Sequence, residues 1–136
     1  MPTHFHFTLQ QTEDFGIYKF LHKISNSYAH YFNIKHETSG PLFEPNFEAV
    51  HVETDEQILH LSRYIHLNPV TAYLVDKPED YSYSSYKHYI GLEKLDFVYP
   101  SIILDQFRSI KDYEKFVMAR KDYQRDLAKI KHLIIE

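Results

Sequence analysis

The side chains best suited to chemistry fall in two short segments of this 136-residue chain, Met1-Pro2-Thr3-His4-Phe5-His6 and Arg63-Tyr64-Ile65-His66-Leu67-Asn68-Pro69-Val70. Side chains alternate faces along an extended strand, so His4 and His6 share one face while Phe5, Phe7 and Leu9 share the other. Neutral imidazole is the commonest protein ligand for a metal, and two of them at such spacing reach one ion. The same pattern also describes a solvated edge strand or loop that binds nothing. Tyr64 and Asn68 stand four residues apart, which stacks them on one helix face. A phenol able to act as a nucleophile and an amide oxygen able to ligate a hard cation would then be neighbours. Equally, Tyr64 reads as a half-buried aromatic and Asn68 as a helix C-cap.

These residues need elements to hold them. Thr54-Asp55-Glu56-Gln57 has the spacing of a capping box, and Ile58, Leu61 and Ile65 follow at helical intervals, which predicts an amphipathic helix starting near Asp55 or Glu56. Pro69 should end it near Leu67 or Asn68, because a residue before proline is biased away from helical backbone. Upstream, Ile17, Phe20, Leu21, Ile24, Tyr28 and Phe32 predict a helix from about Phe15 to Ile34, with Lys19, Lys23, His30 and Lys35 on its other face. His36 to Pro41 reads as a turn, and Phe47 to Glu53 alternates as a strand. Thr71 to Gly91 is a tyrosine-rich stretch broken by Pro78. Further on, Ser101 is placed to cap a short helix through Phe107. Tyr113, Phe116, Val117, Tyr123, Leu127, Ile130 and Leu133 predict one or two amphipathic helices, whose role would be packing on the domain or on a partner chain.

Composition bounds the reading. A chain 43% hydrophobic and 16% aromatic has enough apolar surface for a real core. A net charge of −4 is unlike a protein that grips duplex DNA through a broad basic face. Single-strand binding is still open to it, since stacking on aromatics supplies energy without charge. The absence of cysteine excludes disulfides and cysteine-zinc sites. With no long apolar run and no signal peptide, the expectation is a cytoplasmic protein without membrane contact.

The His-hydrophobe-His segment, the later Arg63-Tyr64-Ile65-His66-Leu67-Asn68-Pro69-Val70 run and Gly40-Pro41-Leu42-Phe43 followed by Phe47 between them resemble the single-tyrosine HUH transposases, especially the REP-associated tyrosine transposase branch. Tyr81-Ser82-Tyr83-Ser84-Ser85-Tyr86, with Tyr89-Ile90-Gly91 downstream, is similar to the Tyr-x-Trp-Ser-Ser-Tyr of that family. The resemblance covers residues 1 to about 91, and the tyrosine segment is its most specific part. Family members usually carry a strand, a helix and a strand before the His-x-His turn, so either the natural protein starts upstream of this numbering or the chain is an N-terminally shortened relative. Around the Phe-x-x-x-Phe positions, where relatives carry Lys or Arg, this chain has Glu44, Pro45, Asn46 and Glu48, which should weaken phosphate contacts there.

The resemblance implies an α+β fold: a small antiparallel sheet covered by helices, of the ferredoxin-like HUH nuclease type, over residues 1–91; beyond it, the amphipathic spacing gives a helical C-terminal extension over residues 92–136. It implies that His4, His6 and Asn68 bind a divalent cation, magnesium or manganese, and that Tyr64 attacks a phosphodiester of single-stranded DNA. The product would be a 5′-phosphotyrosine link and a free 3′-hydroxyl, as in the transposition of a mobile element, on a strand bearing a hairpin. Arg63, Lys19, Lys23 and Lys35 are candidate DNA contacts, as are Arg120, Lys121, Arg125, Lys129 and Lys131 in the extension. His66 lies two residues past Tyr64, roughly 200° around a helix, so it reads as structural or DNA-facing rather than as a base for the phenol. A shortened sheet would leave the strand of His4 and His6 with open edges, which predicts either self-association through that strand or a His-x-His segment loosely held in the monomer; the C-terminal helices offer a second route to a homodimer. The alternative is a truncated, catalytically inactive relative that binds DNA or a protein partner.

Overall fold

The computed structural model describes residues 1–125. The chain divides into two compact units, one built from Met1–His6 together with the chain from Val52 onward, the other from Phe7–His51. The apolar positions Leu127, Ile130 and Leu133 and the candidate contacts Lys129 and Lys131 lie outside the described residues.

The Phe7–His51 unit is organised by helix α1, Gly16–His36. Its predicted bounds are close to those observed, because the apolar residues recur at three- and four-residue steps. Lys35 and His36 in the last turn complement the negative end of the helix dipole. Glu37 follows in the left-handed region, at φ 53°, and its N–H and that of Thr38 close on the Asn33 and Ile34 carbonyls. The Asn33 side chain then fixes the expected turn: it accepts from the Thr38 hydroxyl at 2.9 Å and donates to the Gly40 carbonyl at 3.0 Å. Gly40 sits at φ 93°, where a side chain would be strained. Tyr28 packs beside Phe32 and Phe43, and Phe7 beside Phe20.

The other unit is built on helix α2, Asp55–Thr71. Thr54 and Gln57 form the capping box that their spacing predicts: the Thr54 hydroxyl accepts from the Gln57 N–H at 3.1 Å, and the Gln57 side chain accepts from the Thr54 N–H at 3.2 Å. The far end differs from expectation. The helix runs through Pro69 to Thr71 and closes with Tyr73 at φ 57°. A proline inside a helix costs about 3 kcal/mol, but Leu67, Pro69 and Val70 are all buried, and burying each large apolar side chain is worth roughly 1.5 to 3 kcal/mol. Packing outweighs the local penalty.

After α2 come a 3-10 turn at Pro78–Asp80 and three short helices: α3 (Tyr86–Tyr89), α4 (Ser101–Leu104) and α5 (Ile110–Met118). Pro100, rather than Ser101, occupies the N-cap of α4. Ser109 caps α5 by accepting from the Asp112 N–H at 3.2 Å. Leu67, Tyr86, Ile103, Tyr113 and Val117 form the core, with Ile58, Leu59, Phe107 and Phe116 packed around it.

The expected α+β architecture is overturned. The elements are helical, and the described residues contain no β-strand, hence no antiparallel sheet and no ferredoxin-like core. Residues 4–9 and 47–53, which alternate as strands do, run as irregular backbone. Alternation supplies the right faces, but a strand exists only with a ladder partner, and an isolated pair of short strands is marginal in water. Here the apolar residues of the larger unit find their burial between helices instead. The N-terminal strand through which a dimer was expected is likewise not formed. No helix among the described residues is long and apolar enough to cross a membrane.

Candidate functional site

His4, His6, Tyr64 and Asn68 all belong to the same compact unit, since Met1–His6 is part of the body built on α2. The His4 and His6 rings meet edge to face with centroids 5.0 Å apart. The His6 ring also stands 5.9 Å from that of Tyr64, again edge-on. An irregular N-terminal segment therefore gathers the residues for which a strand was expected. On the His4 ring, Nδ1 is 3.1 Å from the Thr3 hydroxyl, which leaves Nε2 as the nitrogen able to face a ligand.

The electrostatics favour a neutral imidazole at His6. Burial pushes its pKa below the ordinary histidine value, and the neighbouring His4 and the terminal amino group push the same way. A neutral ring is the form that ligates metals. Tyr64 is 45% exposed, so its phenol is open to an incoming molecule. Asn68 lies one helical turn further along α2, and its amide nitrogen is buried with no hydrogen-bond partner. A polar atom left in that state costs about 1–3 kcal/mol, so this amide is not held by a complete internal network. The described residues contain no cluster of three His, Cys, Asp or Glu side chains placed to hold a metal. A cation here would take the two imidazoles, donors adequate for a divalent ion; the unpartnered Asn68 atom is the amide nitrogen, which donates hydrogen bonds and does not ligate a cation.

His66 takes the structural role. It is 3% exposed, with Nδ1 2.6 Å from the Tyr113 hydroxyl and Nε2 2.9 Å from the Ser85 hydroxyl. Tyr113 is also 2.6 Å from the Ser62 hydroxyl. The result is a buried chain Ser62–Tyr113–His66–Ser85 in which a neutral imidazole and three hydroxyls satisfy one another. Burial holds the His66 pKa down at about 4 and raises those of Tyr86, Tyr89 and Tyr113. A buried ring facing the core has no surface for DNA. Ser62, four residues before His66 on α2, shares its face by helical spacing, whereas Ser85 and Tyr113 carry no signal that links them to His66, Tyr113 being 47 residues away.

The remaining candidates are dispersed. Arg63 stacks on the Phe116 ring with its guanidinium carbon 4.3 Å from the centroid, donates to the Phe116 carbonyl at 3.4 Å and lies 2.6 Å from His60 Nδ1. Arg120 stacks on Tyr123 at 5.1 Å. Arg125 lies over Tyr73, donates to the Val70 carbonyl and pairs with Asp76, whose own carbonyl accepts from Lys121. Lys19, Lys23 and Lys35 are exposed on α1, in the other unit, where Lys19 pairs with Glu13 at 3.6 Å and Lys35 lies over the Tyr31 ring.

No protein-family model, no curated protein and no solved structure matches this chain.

Proposed function

We propose that the chain is a metal-dependent nicking and joining protein for single-stranded DNA, of transposase type, with Tyr64 as its nucleophile. The observation that supports this reading is the meeting of the His4, His6 and Tyr64 rings at centroid separations of 5.0 and 5.9 Å. The reading needs no sheet; it needs two imidazoles beside an accessible phenol on a helix. His4, His6 and, through its amide oxygen, Asn68 would hold the cation, and two nitrogen donors beside one oxygen suit manganese better than magnesium. When bound, the ion would supply Lewis-acid stabilisation of the charge that builds on the phosphoryl oxygens.

Tyr64 Oη attacks the phosphorus and loses its proton. The bond from phosphorus to the 3′-oxygen breaks, and that oxygen takes up a proton. The products are a 5′-phosphotyrosine and a free 3′-hydroxyl. One phosphate ester replaces another, so attack by a second 3′-hydroxyl can rejoin strands without external energy. A phenol ordinarily has a pKa of about 10, so proton loss must accompany attack.

The test is incubation of the full chain with a hairpin-bearing single-stranded oligonucleotide and manganese. A protein-DNA adduct that survives denaturant is expected from the wild type and absent from Tyr64→Phe, with circular dichroism unchanged. An adduct persisting in the Phe variant would assign the chemistry to another of the twelve tyrosines. No adduct and no manganese binding by the wild type would leave the non-cleaving binder as the better reading.

A further inference from the structure

Within the Phe7–His51 unit, Leu21 alone is buried. Apolar side chains that meet in a core elsewhere in the chain stay in contact with solvent here. Phe20, Ile24, Tyr31 and Ile34 recur at four-, seven- and three-residue steps, which sets them in one stripe along α1. They are 37–67% exposed. Beyond the turn, Phe47 and Val50 are exposed on irregular backbone, Val50 by 90%. An apolar surface of this extent on a folded chain marks an interface.

The charges say what covers it. Helix α1 carries Lys19, Lys23 and Lys35 and no Asp or Glu, so two α1 helices laid against each other would repel. The segment after the turn has the opposite sign: Glu44 and Glu48 flank Phe47, and residues 41–51 contain no Lys or Arg. Lys19 pairs with Glu13. Lys23, which borders the stripe three residues after Phe20, forms no ion pair among the described residues, and neither do Glu44 and Glu48. The two surfaces belong to one unit and join near the middle of α1, where the Phe43 ring packs beside Tyr28 with centroids 6.0 Å apart. An apolar, cationic half beside an apolar, anionic half is complementary to itself under a two-fold rotation, the commonest symmetry of soluble oligomers.

We propose that α1 and residues 44–50 form the interface of a two-fold homodimer. Phe47 and Val50 of each copy cover the α1 stripe of its partner, and Lys23 of each faces Glu48 of the other. This interface is distinct from both routes of association expected from the sequence, and it stands independently of the chemistry of Tyr64. Sedimentation velocity on the full chain tests it, over a wide range of protein concentration, at low salt and in EDTA, which removes metal bridging between chains. The wild type should show a monomer–dimer equilibrium. Lys23→Glu alone and Glu48→Lys alone each set like charges together at both symmetry-related contacts and should weaken the dimer roughly ten-fold. Both side chains are exposed, so circular dichroism should not change. Mixing the two variants restores an opposite-charge pair at both contacts, and a heterodimer of near wild-type affinity is expected. A monomer at every concentration overturns the proposal and leaves the stripe to a partner of another kind. Assemblies larger than a dimer overturn the two-fold arrangement, as do variants that associate like the wild type or a mixture no tighter than its components.

Discussion

Protonating His66 should cost the fold stability, and the size of the effect follows from its burial. The ring is 3% exposed and its pKa sits at about 4, against about 6.5 when unfolded. Below pH 6.5 the unfolded chain therefore takes up a proton that the folded chain refuses, and the equilibrium shifts toward unfolding. The contribution is fully present above pH 6.5, falls away between pH 6.5 and about 4, and is flat below that. A difference of roughly 2.5 pKa steps corresponds to about 3 kcal/mol, a large share of the 5–15 kcal/mol that holds a typical domain together. Urea unfolding followed by circular dichroism at several pH values measures it. Carboxylates titrate in the same window, so the comparison is with His66→Gln, whose stability should be less steep with pH by that amount. Should the variant not fold, a proton NMR titration of the wild-type imidazole decides the matter. A midpoint near 6.5 in the folded protein, or equal slopes for the two chains, would refute the reasoning.

Leu67→Ala removes a side chain with no exposed surface, and a loss of about 2–5 kcal/mol in denaturant unfolding is expected. Thr54→Ala deletes the capping hydroxyl of α2 and should cost about 1 kcal/mol, read as a shift of the urea midpoint at constant slope. For the metal, calorimetry should find that His4→Ala and His6→Ala each remove most manganese affinity while Asn68→Ala removes less, since water replaces an amide oxygen more readily than an imidazole. Affinity should also fall as the medium is acidified, because protons compete for the same nitrogens. The lowered pKa of His6 places its share of that loss below the ordinary histidine range.

Local signals were readable and long-range ones were not. The capping box at Thr54, the apolar spacing of α1 and the turn after His36 each rest on contacts within a few residues, so the sequence carries them plainly. Tyr113 and Val117, predicted to lie on an amphipathic face, are indeed buried on α5. Two strands were misread because alternation at Phe5, Phe7 and Leu9 says which faces would be apolar, not whether a ladder partner exists. The end of α2 was misread because the cost of Pro69 is local and its compensation, burial among distant helices, is not. At the site, the spacing of Tyr64 and Asn68 on one helix face was legible. The approach of His6 to Tyr64 was implied by family resemblance alone, since 58 positions in the numbering separate them. The links from His66 to Ser85 and Tyr113 were illegible for the same reason.

Pro69 has a mechanical consequence for that site. Lacking an N–H, it leaves the Ile65 carbonyl without its usual donor, and this missing rung falls between Tyr64 and Asn68. The turn that carries the phenol belongs to an unbroken spiral started by the capping box. The turn that carries the amide is fastened by what it leans on: Leu67 and Val70 with no exposed surface, and the Arg125 guanidinium on the Val70 carbonyl at 3.2 Å. Both halves of α2 still lean on one core, in which Ile58 and Leu59 from the first half pack with Leu67 from the second. What Pro69 removes is a backbone rung between the phenol and the amide, so their spacing along α2 is held by the packing of Leu67 and Val70 more than by the backbone there.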